Sequence, residues 1–158
     1  MGNPLLDIMA SVDVKFLEKY QMKPNDAILA EDIHKPMYDD LKSNYQVEFV
    51  AGGASQNVLR VLQWVIGKPN IATFMGSVGD DESGKTLARC ATADGVNVQY
   101  QIQKDTPTGT CAALITGTNR SLCAYLAAAN LFTVDHLKKP ENFAFVEKAQ
   151  FYYISVSY

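Results

Sequence analysis

Two adjacent glycines, Gly52 and Gly53, stand where the residue pattern changes from that of a strand to that of a helix. Before them, Val47, Phe49 and Ala51 alternate with other residues, which is typical of a half-buried strand. After them, apolar residues recur at helical spacing. Glycine permits backbone angles closed to other residues and the close approach of a ligand, and a helix start carries free N–H groups. The pair alone indicates either a tight turn or one wall of a binding site.

Composition limits the possible classes. A length of 158 residues, with 47% hydrophobic and 20% charged residues, predicts one globular domain. The net charge of −3 argues against a nucleic-acid or membrane-surface partner, and no apolar run is long enough to span a membrane. The cysteines Cys90, Cys111 and Cys123 are odd in number and lack CxxC spacing, which predicts neither disulfides nor a metal site. We therefore expect the protein to be located in a reducing compartment, namely the cytoplasm and also the nucleus.

Strand and helix patterns alternate along most of the chain, which predicts an α/β fold with a largely parallel sheet. Helices are predicted over 14–20, 36–44, 55–66, 82–93, 134–139 and 141–148. Strands are predicted over 5–12, 46–51, 71–78, 96–102 and 151–158. A hairpin over 110–116 and 121–128 does not fit the alternation and predicts a small separate β element. His34 and His136 lie in polar stretches, so we expect exposed side chains there.

A P-loop pattern, GxxxxGK[ST], spans Gly79 to Thr86 between a predicted strand and helix. However, Asp80, Asp81 and Glu82 are consecutive carboxylates in that loop. One carboxylate at about 4 Å from a phosphate charge costs about 4 kcal/mol at an effective dielectric constant of about 20. We interpret the stretch as the acidic first turn of an ordinary helix, with a P-loop NTPase as the remotest alternative.

Three polar features predict a binding site. Asp7 interrupts an apolar strand, where a carboxylate is costly to bury unless it is paired or hydrogen-bonded. It can accept two hydrogen bonds, which suits a vicinal diol such as that of ribose. The double glycine offers close main-chain approach, and Asn57 carries both a donor and an acceptor one turn into the helix. Taken singly, Asp7 could be a strand-end residue and Asn57 a helix-surface residue.

Six segments resemble the ribokinase-like (PfkB-type) carbohydrate and nucleoside kinases in the same order. They are GNPLLDI at 2–8, MKPNDAILAED at 22–32, AGGASQN at 51–57, GSVGDDESG at 76–84, PTGTCAALITG at 107–117 and NRSLCAYLAAAN at 119–130. The resemblance implies a parallel sheet flanked by helices plus a small β lid. The lid strands fall at about 5–13, 46–51 and 109–128, and the remainder belongs to a large α/β domain.

The resemblance also implies a reaction and a set of site residues. The reaction is transfer of the γ-phosphate of ATP to the 5′-hydroxyl of adenosine, with Mg²⁺, by a monomer. Asp7 would hold the ribose hydroxyls with help from Gly52, Gly53 and Asn57, and Asn3 would lie near the nucleoside. The remaining implied pocket residues wall its apolar part: Leu29, Cys111, Leu122, Ala124 and, against the adenine, Tyr158.

Catalysis in this family depends on parts that the sequence does not contain. Arg120 matches a position directed toward the transferred phosphate, but the Gly-Ala-Gly-Asp segment that carries the general base does not occur here. We expect an N-terminal part of a kinase that holds the nucleoside and is inactive alone. Ala27 and Ala54 replace a glutamine and a serine that the resemblance implies. The alternatives are another ribokinase-like sugar or nucleoside kinase, and a non-catalytic nucleoside-binding or interaction protein.

Overall fold

The structure, a computed structural model, describes residues 1–155 and contains two β-sheets with helices around them. The strands are β1 (Leu5–Ser11), β2 (Ala27–Leu29), β3 (Glu48–Gly52), β4 (Thr73–Gly79), β5 (Asn97–Gln103), β6 (Thr110–Thr116) and β7 (Asn119–Tyr125). The helices are α1 (Val14–Lys19), α2 (Met37–Asn44), α3 (Ala54–Ile66), α4 (Glu82–Ala93), α5 (Val134–Leu137) and α6 (Pro140–Lys148). Short 3-10 helices occupy Asp32–His34 and Ala127–Leu131.

The larger sheet has the strand order β2-β7-β6-β1-β3. Strand β1 pairs antiparallel with β3 and parallel with β6, and β6 forms the predicted hairpin with β7. Gly117, with φ of +61°, makes the hairpin turn. Strand β7 ends at Tyr125, earlier than predicted, because the chain then enters a 3-10 helix. The three-residue edge strand β2 is too short for its alternation to be recognised in the sequence.

Helices α1 and α2 cover one face of this sheet. Asp13 caps α1, since its carboxylate accepts a hydrogen bond from the Phe16 N–H at 2.9 Å. The buried side chains between helices and sheet include Ile8, Ala10, Phe16, Leu17, Met37, Leu41, Ala112 and Leu114. The sheet residues in this core alternate with Asp7 and Cys111, so those two lie on the opposite face.

The second sheet is the parallel pair β4–β5, and α4 packs against it and against the end of the first sheet. The chain start lies beside this sheet, since the Gly2 N–H donates to the Met75 carbonyl at 3.4 Å. On its other side, the Ser155 N–H donates to the Met1 carbonyl at 3.1 Å. Residues 151–155 therefore lie beside the chain start. The sequence predicted a strand here, but these residues form none. The rest of that predicted strand, 156–158, lies outside the described residues.

Helix α3 does not bury the apolar face that its sequence predicts. Trp64 is 83% exposed, and Val58, Val61, Leu62, Val65 and Ile66 are exposed as well. Gln56 and Gln63 are buried instead, because their amides satisfy buried polar groups. Gln56 donates to the Gly52 carbonyl at 3.0 Å, and Gln63 accepts from the Ala72 N–H at 3.1 Å. Nothing within residues 1–155 covers the apolar face.

Both histidines are buried, so the expectation of exposed side chains was wrong. The Nδ1 atom of His34 accepts a hydrogen bond from the Glu31 N–H at 2.9 Å. The Nε2 atom of His136 lies 3.1 Å from the Gln99 carbonyl oxygen. Each ring is buried because it pairs with backbone groups that a sequence pattern does not reveal. Among the described helices, none is long and apolar enough to cross a membrane.

Asp81 ties the start of α4 to the segment that enters β6. Its carboxylate accepts hydrogen bonds from the Gly84 N–H at 2.8 Å, the Thr108 N–H at 2.8 Å and the Thr108 hydroxyl at 2.6 Å. Burial of this carboxyl opposes ionisation, but the hydrogen bonds outweigh burial and lower the pKa of Asp81. The acidic loop is therefore a structural junction between the two sheets.

Replacing Asp81 by alanine should lower the free energy of unfolding by about 2 kcal/mol, because a helix cap and two further hydrogen bonds are lost together. Urea unfolding of the wild-type and D81A chains at pH 7 measures the difference. Glu82→Ala is the matched control, since Glu82 pairs only with the exposed Lys85 at 2.7 Å. Equal unfolding free energies for wild type and D81A would contradict the junction.

Candidate functional site

The double glycine lies where the end of β3 meets the start of β1. A Cβ atom at Gly52 would overlap the Asp7 carboxylate, and one at Gly53 would overlap the Asn3 carbonyl. Gly53 also has a φ of +95°, a conformation that L side chains rarely adopt. It precedes α3, and its carbonyl accepts from the Asn57 N–H at 2.9 Å. The close approach itself therefore requires glycine at both positions.

Strand register aligns Asp7 with several predicted pocket residues. Directly paired residues point to the same face of a sheet. The pairings place five residues in one cross-strand row: Val50, Asp7, Cys111, Ala124 and Leu29. Leu122 and Arg120 lie two and four residues before Ala124 on β7 and share its face. The lid residues of the predicted pocket thus stand on one face with the carboxylate.

Other predicted site residues lie beside this face. Asn3 is adjacent to Gly53 and donates through Nδ2 to the Asn130 Oδ1 atom at 2.8 Å. Ala27 is paired with Leu122, and Ala54 begins α3 at an exposed position. Tyr158 lies outside the described residues.

A cavity of about 650 Å³ opens between this face and α3. Asp7, Asn57 and Arg120 all line it, so three of the predicted site residues meet there. The apolar members of the row, Leu29, Cys111 and Ala124, continue along the sheet outside the cavity lining. The arrangement presents polar groups at one end of a surface and apolar side chains at the other.

Asp7 is a largely buried carboxyl group with incomplete charge compensation. Its side chain is 16% exposed, and its Oδ2 atom lies 4.0 Å from the Nη2 atom of Arg120, whose side chain is 55% exposed. Burial raises the pKa of Asp7 from its ordinary value of 3.8 to about 6, although Arg120 and Arg60 oppose the rise. Burial likewise raises the pKa of the neighbouring Cys111 thiol to about 12, so that side chain is a neutral part of the wall.

Arg60 is a site residue that the sequence analysis did not identify. Its Nη1 atom donates to the Asn57 Oδ1 atom at 2.8 Å and to the Ala51 carbonyl, and its Nε atom donates to Asp94 Oδ2 at 2.5 Å. It also lines the cavity. Its position three residues after Asn57, on the same helix face, was the signal available in the sequence.

The P-loop pattern forms no phosphate cradle. The Asp81 carboxylate already accepts from the Gly84 N–H at the start of α4, and Lys85 pairs with Glu82. The rejection of the P-loop by charge is consistent with this geometry. Within residues 1–155, no group of three or more His, Cys, Asp or Glu side chains could hold a metal ion.

Residues 14–158 match the model of the pfkB family carbohydrate kinases. The chain therefore belongs to the pfkB family, and the predicted ribokinase-like α/β fold is confirmed.

Matches to individual proteins are more specific than the match to the family. Adenosine kinase 2 of Arabidopsis thaliana is 56% identical over 155 residues, which are 98% of this chain and 45% of that protein. The adenosine kinase of Dictyostelium discoideum is 42% identical over 97% of this chain and 45% of its own length. The chain thus spans about 45% of the length of these relatives.

Solved structures give the same result. Anopheles gambiae adenosine kinase, in complex with P1,P4-di(adenosine-5) tetraphosphate, has a TM-score of 0.87 and 56% identity. The match covers 94% of this chain and 44% of that one. Adenosine kinase of Trypanosoma brucei brucei has a TM-score of 0.90 and 35% identity, over 94% of this chain and 46% of that one.

The buried Asp7 predicts a pH-dependent stability. Folding raises the pKa of Asp7. The contribution of this group to the free energy of unfolding is therefore fully present below about pH 4 and is lost as the pH rises through about 6. A shift of about two units corresponds to about 3 kcal/mol. We expect Asp7→Asn to raise the free energy of unfolding at pH 7.5 but not at pH 4, as measured by urea unfolding.

Asp105→Asn is the control for this comparison, because Asp105 lies exposed in a loop. That variant should keep the wild-type pH dependence. An Asp7→Asn variant that is less stable than wild type at pH 7.5 would show that the carboxylate is satisfied within the fold, contrary to our interpretation.

Proposed function

We propose that the complete protein phosphorylates the 5′-hydroxyl of adenosine with ATP, and that these residues supply the nucleoside side of its site. The observation that carries the proposal is the buried Asp7 carboxylate, which lines a cavity with Asn57 and Arg120 beside the double glycine. A carboxylate with raised pKa in a cavity is characteristic of a functional site. Relatives that are named adenosine kinases support adenosine as the acceptor.

In this proposal Asp7 recognises the ribose diol. A vicinal diol can donate two hydrogen bonds to one carboxylate, and such bonds to an ionised acceptor are stronger than neutral ones. Gly52 lets the Asp7 carboxylate occupy the place that a side chain at that position would take, and Gly53 does the same for the Asn3 carbonyl. The apolar members of the row, Cys111, Ala124 and Leu29, would contact the base, which has large apolar faces. The gradient from polar to apolar along the sheet thus matches the two ends of a nucleoside.

Arg120 supplies the positive charge at the phosphate end. Its side chain is 55% exposed and lines the cavity with Asp7, whose Oδ2 atom lies 4.0 Å from its Nη2 atom. Phosphoryl transfer depends mainly on holding the reactants in line and on stabilising charge as it develops. We propose that Arg120 stabilises the charge of the transferred phosphoryl group while Asp7 fixes the ribose. The general base and the ATP-binding groups are proposed to lie outside these 158 residues. The cytoplasmic location and monomeric state remain predictions.

The diol contact is tested in the complete protein with Asp7→Ala. This change should weaken adenosine binding by about 100-fold, because charge-assisted hydrogen bonds are worth about 1.5–3 kcal/mol each. Binding of 2′,3′-dideoxyadenosine should change far less, since that ligand has no diol to donate. Isothermal titration calorimetry measures both, with Asp105→Ala as an exposed control. Equal losses for the two ligands would reject the diol role of Asp7.

A substrate panel separates the remaining alternatives. Adenosine, other nucleosides and free sugars are each supplied with MgATP to the complete protein, and product formation is followed. Preference for a sugar or another nucleoside would identify a different kinase of this family. Adenosine binding without turnover would identify a non-catalytic nucleoside-binding protein.

The isolated 158-residue chain is expected to form no AMP from adenosine and MgATP above background. The reason is that the Gly-Ala-Gly-Asp segment expected to carry the general base does not occur in these residues, and the ATP-binding groups are proposed to lie outside them. A coupled assay for ADP formation measures this, with the complete protein as the positive control. Turnover by the isolated chain would mean that the base lies among these residues.

A further inference from the structure

Arg60 holds a fixed position at the edge of the cavity. Its guanidinium contacts three acceptors on three elements: Asn57 on α3, the Ala51 carbonyl on β3 and Asp94 after α4. Its side chain is only 24% exposed. A planar guanidinium with several donors can satisfy three acceptors at once, which an ammonium group on a flexible stem does poorly. The contacts therefore fix Arg60 with respect to both β3 and α3.

This arrangement determines how the Asn57 amide is oriented. Arginine can only donate hydrogen bonds, so it selects the amide oxygen of Asn57 and excludes the amide nitrogen. Asn57 lines the cavity, and its Nδ2 donor has no acceptor among residues 1–155. With Oδ1 held by Arg60, the amide nitrogen is the group that remains available to a ligand.

We propose that Arg60 is a positioning residue that makes Asn57 a hydrogen-bond donor to the sugar hydroxyls, complementary to the acceptor Asp7. This inference rests on the proposed function of the same site. Each hydroxyl of a vicinal diol both donates and accepts. The ionised Asp7 carboxylate can only accept, and an Asn57 amide whose Oδ1 atom is held by Arg60 presents its Nδ2 atom as the donor. Asp7 and Asn57 together therefore pair with both the donors and the acceptors of the diol hydroxyls. A ligand without these hydroxyl groups forms neither kind of hydrogen bond.

The test uses the complete protein, with calorimetry of adenosine and of 2′,3′-dideoxyadenosine. Arg60→Met should raise the dissociation constant of adenosine by about 10-fold, the effect of one lost hydrogen bond, and that of the dideoxy ligand by less than about 2-fold. Adding Arg60→Met to Asn57→Ala should cause no further loss. Arg89→Met is the matched control, because exposed Arg89 donates only to the Thr86 hydroxyl at 3.3 Å.

A second variant tests the donor without changing Arg60. Asn57→Asp keeps an oxygen for Arg60 but has no amide nitrogen, so it should weaken adenosine as much as Asn57→Ala does. In turnover assays, Arg60→Met should raise KM and leave kcat within about 3-fold, since Arg60 acts on binding of the sugar and not on the 5′ end.

Three results would overturn the proposal. They are equal losses for the two ligands in Arg60→Met, additive losses in the double variant, and wild-type affinity for adenosine in Asn57→Asp. If any of these results is obtained while the wild-type protein phosphorylates adenosine, the proposed function stands and only the role of Arg60 is rejected. A wild-type protein that neither binds nor phosphorylates adenosine would overturn both proposals.

Discussion

The close contact between the double glycine and β1 determines where the parts of the site meet. Gly52 lies against the Asp7 carboxylate and Gly53 against the Asn3 carbonyl, at distances that leave no room for a side chain. Strand β3 ends, α3 begins and the chain enters β1 at this one place. A larger residue would push α3, with Asn57 and Arg60, away from the strand that carries Asp7. The backbone approach is therefore the condition for the arrangement of all the polar groups.

A buried carboxylate in this position is unfavourable for folding and useful for binding. Burial raises the pKa of Asp7 to about 6, which means that its ionised form is poorly compensated in the unliganded chain. The nearest cation, Arg120, is 4.0 Å away and largely exposed, so it compensates only part of the cost. Hydroxyl groups that donate to the carboxylate would supply what the protein does not. Natural sites often keep such a destabilised group because ligand contacts restore the lost stability.

The sequence singled out Asp7 and the double glycine because these residues break local patterns, whereas Arg120 was implied only by the family resemblance. Asp7 interrupts an apolar strand, the glycines separate a strand from a helix, and consecutive carboxylates argue against a P-loop. Arg60 follows no such rule, since a charged residue on a helix usually lies in solvent. Its role depends on contacts with Ala51 and Asp94, which are distant in sequence.

The errors in fold prediction have the same origin. The apolar stripe of α3 predicts a buried face, but Gln56 and Gln63 on the other side are buried and bond to backbone groups that flank the helix, at Gly52 and Ala72. The histidines were misplaced because their backbone partners could not be inferred from composition. Strand β2 is recognised only by its pairing with β7. For β2 and His136 a tertiary contact outweighed the local pattern, whereas His34 is buried by a local contact with the Glu31 N–H.

We propose that Asp7 is unsatisfied in the free protein and accepts hydrogen bonds from the sugar of adenosine in the complex. Carbon-13 NMR titration of the Asp7 carboxyl, in the complete protein with and without saturating adenosine, tests it most directly. The account predicts a pKa near 6 for the free protein and a clear fall on binding, because donated hydrogen bonds favour the ionised form. An Asp7 pKa near its ordinary value in the free protein, or one that adenosine leaves unchanged, would contradict the account.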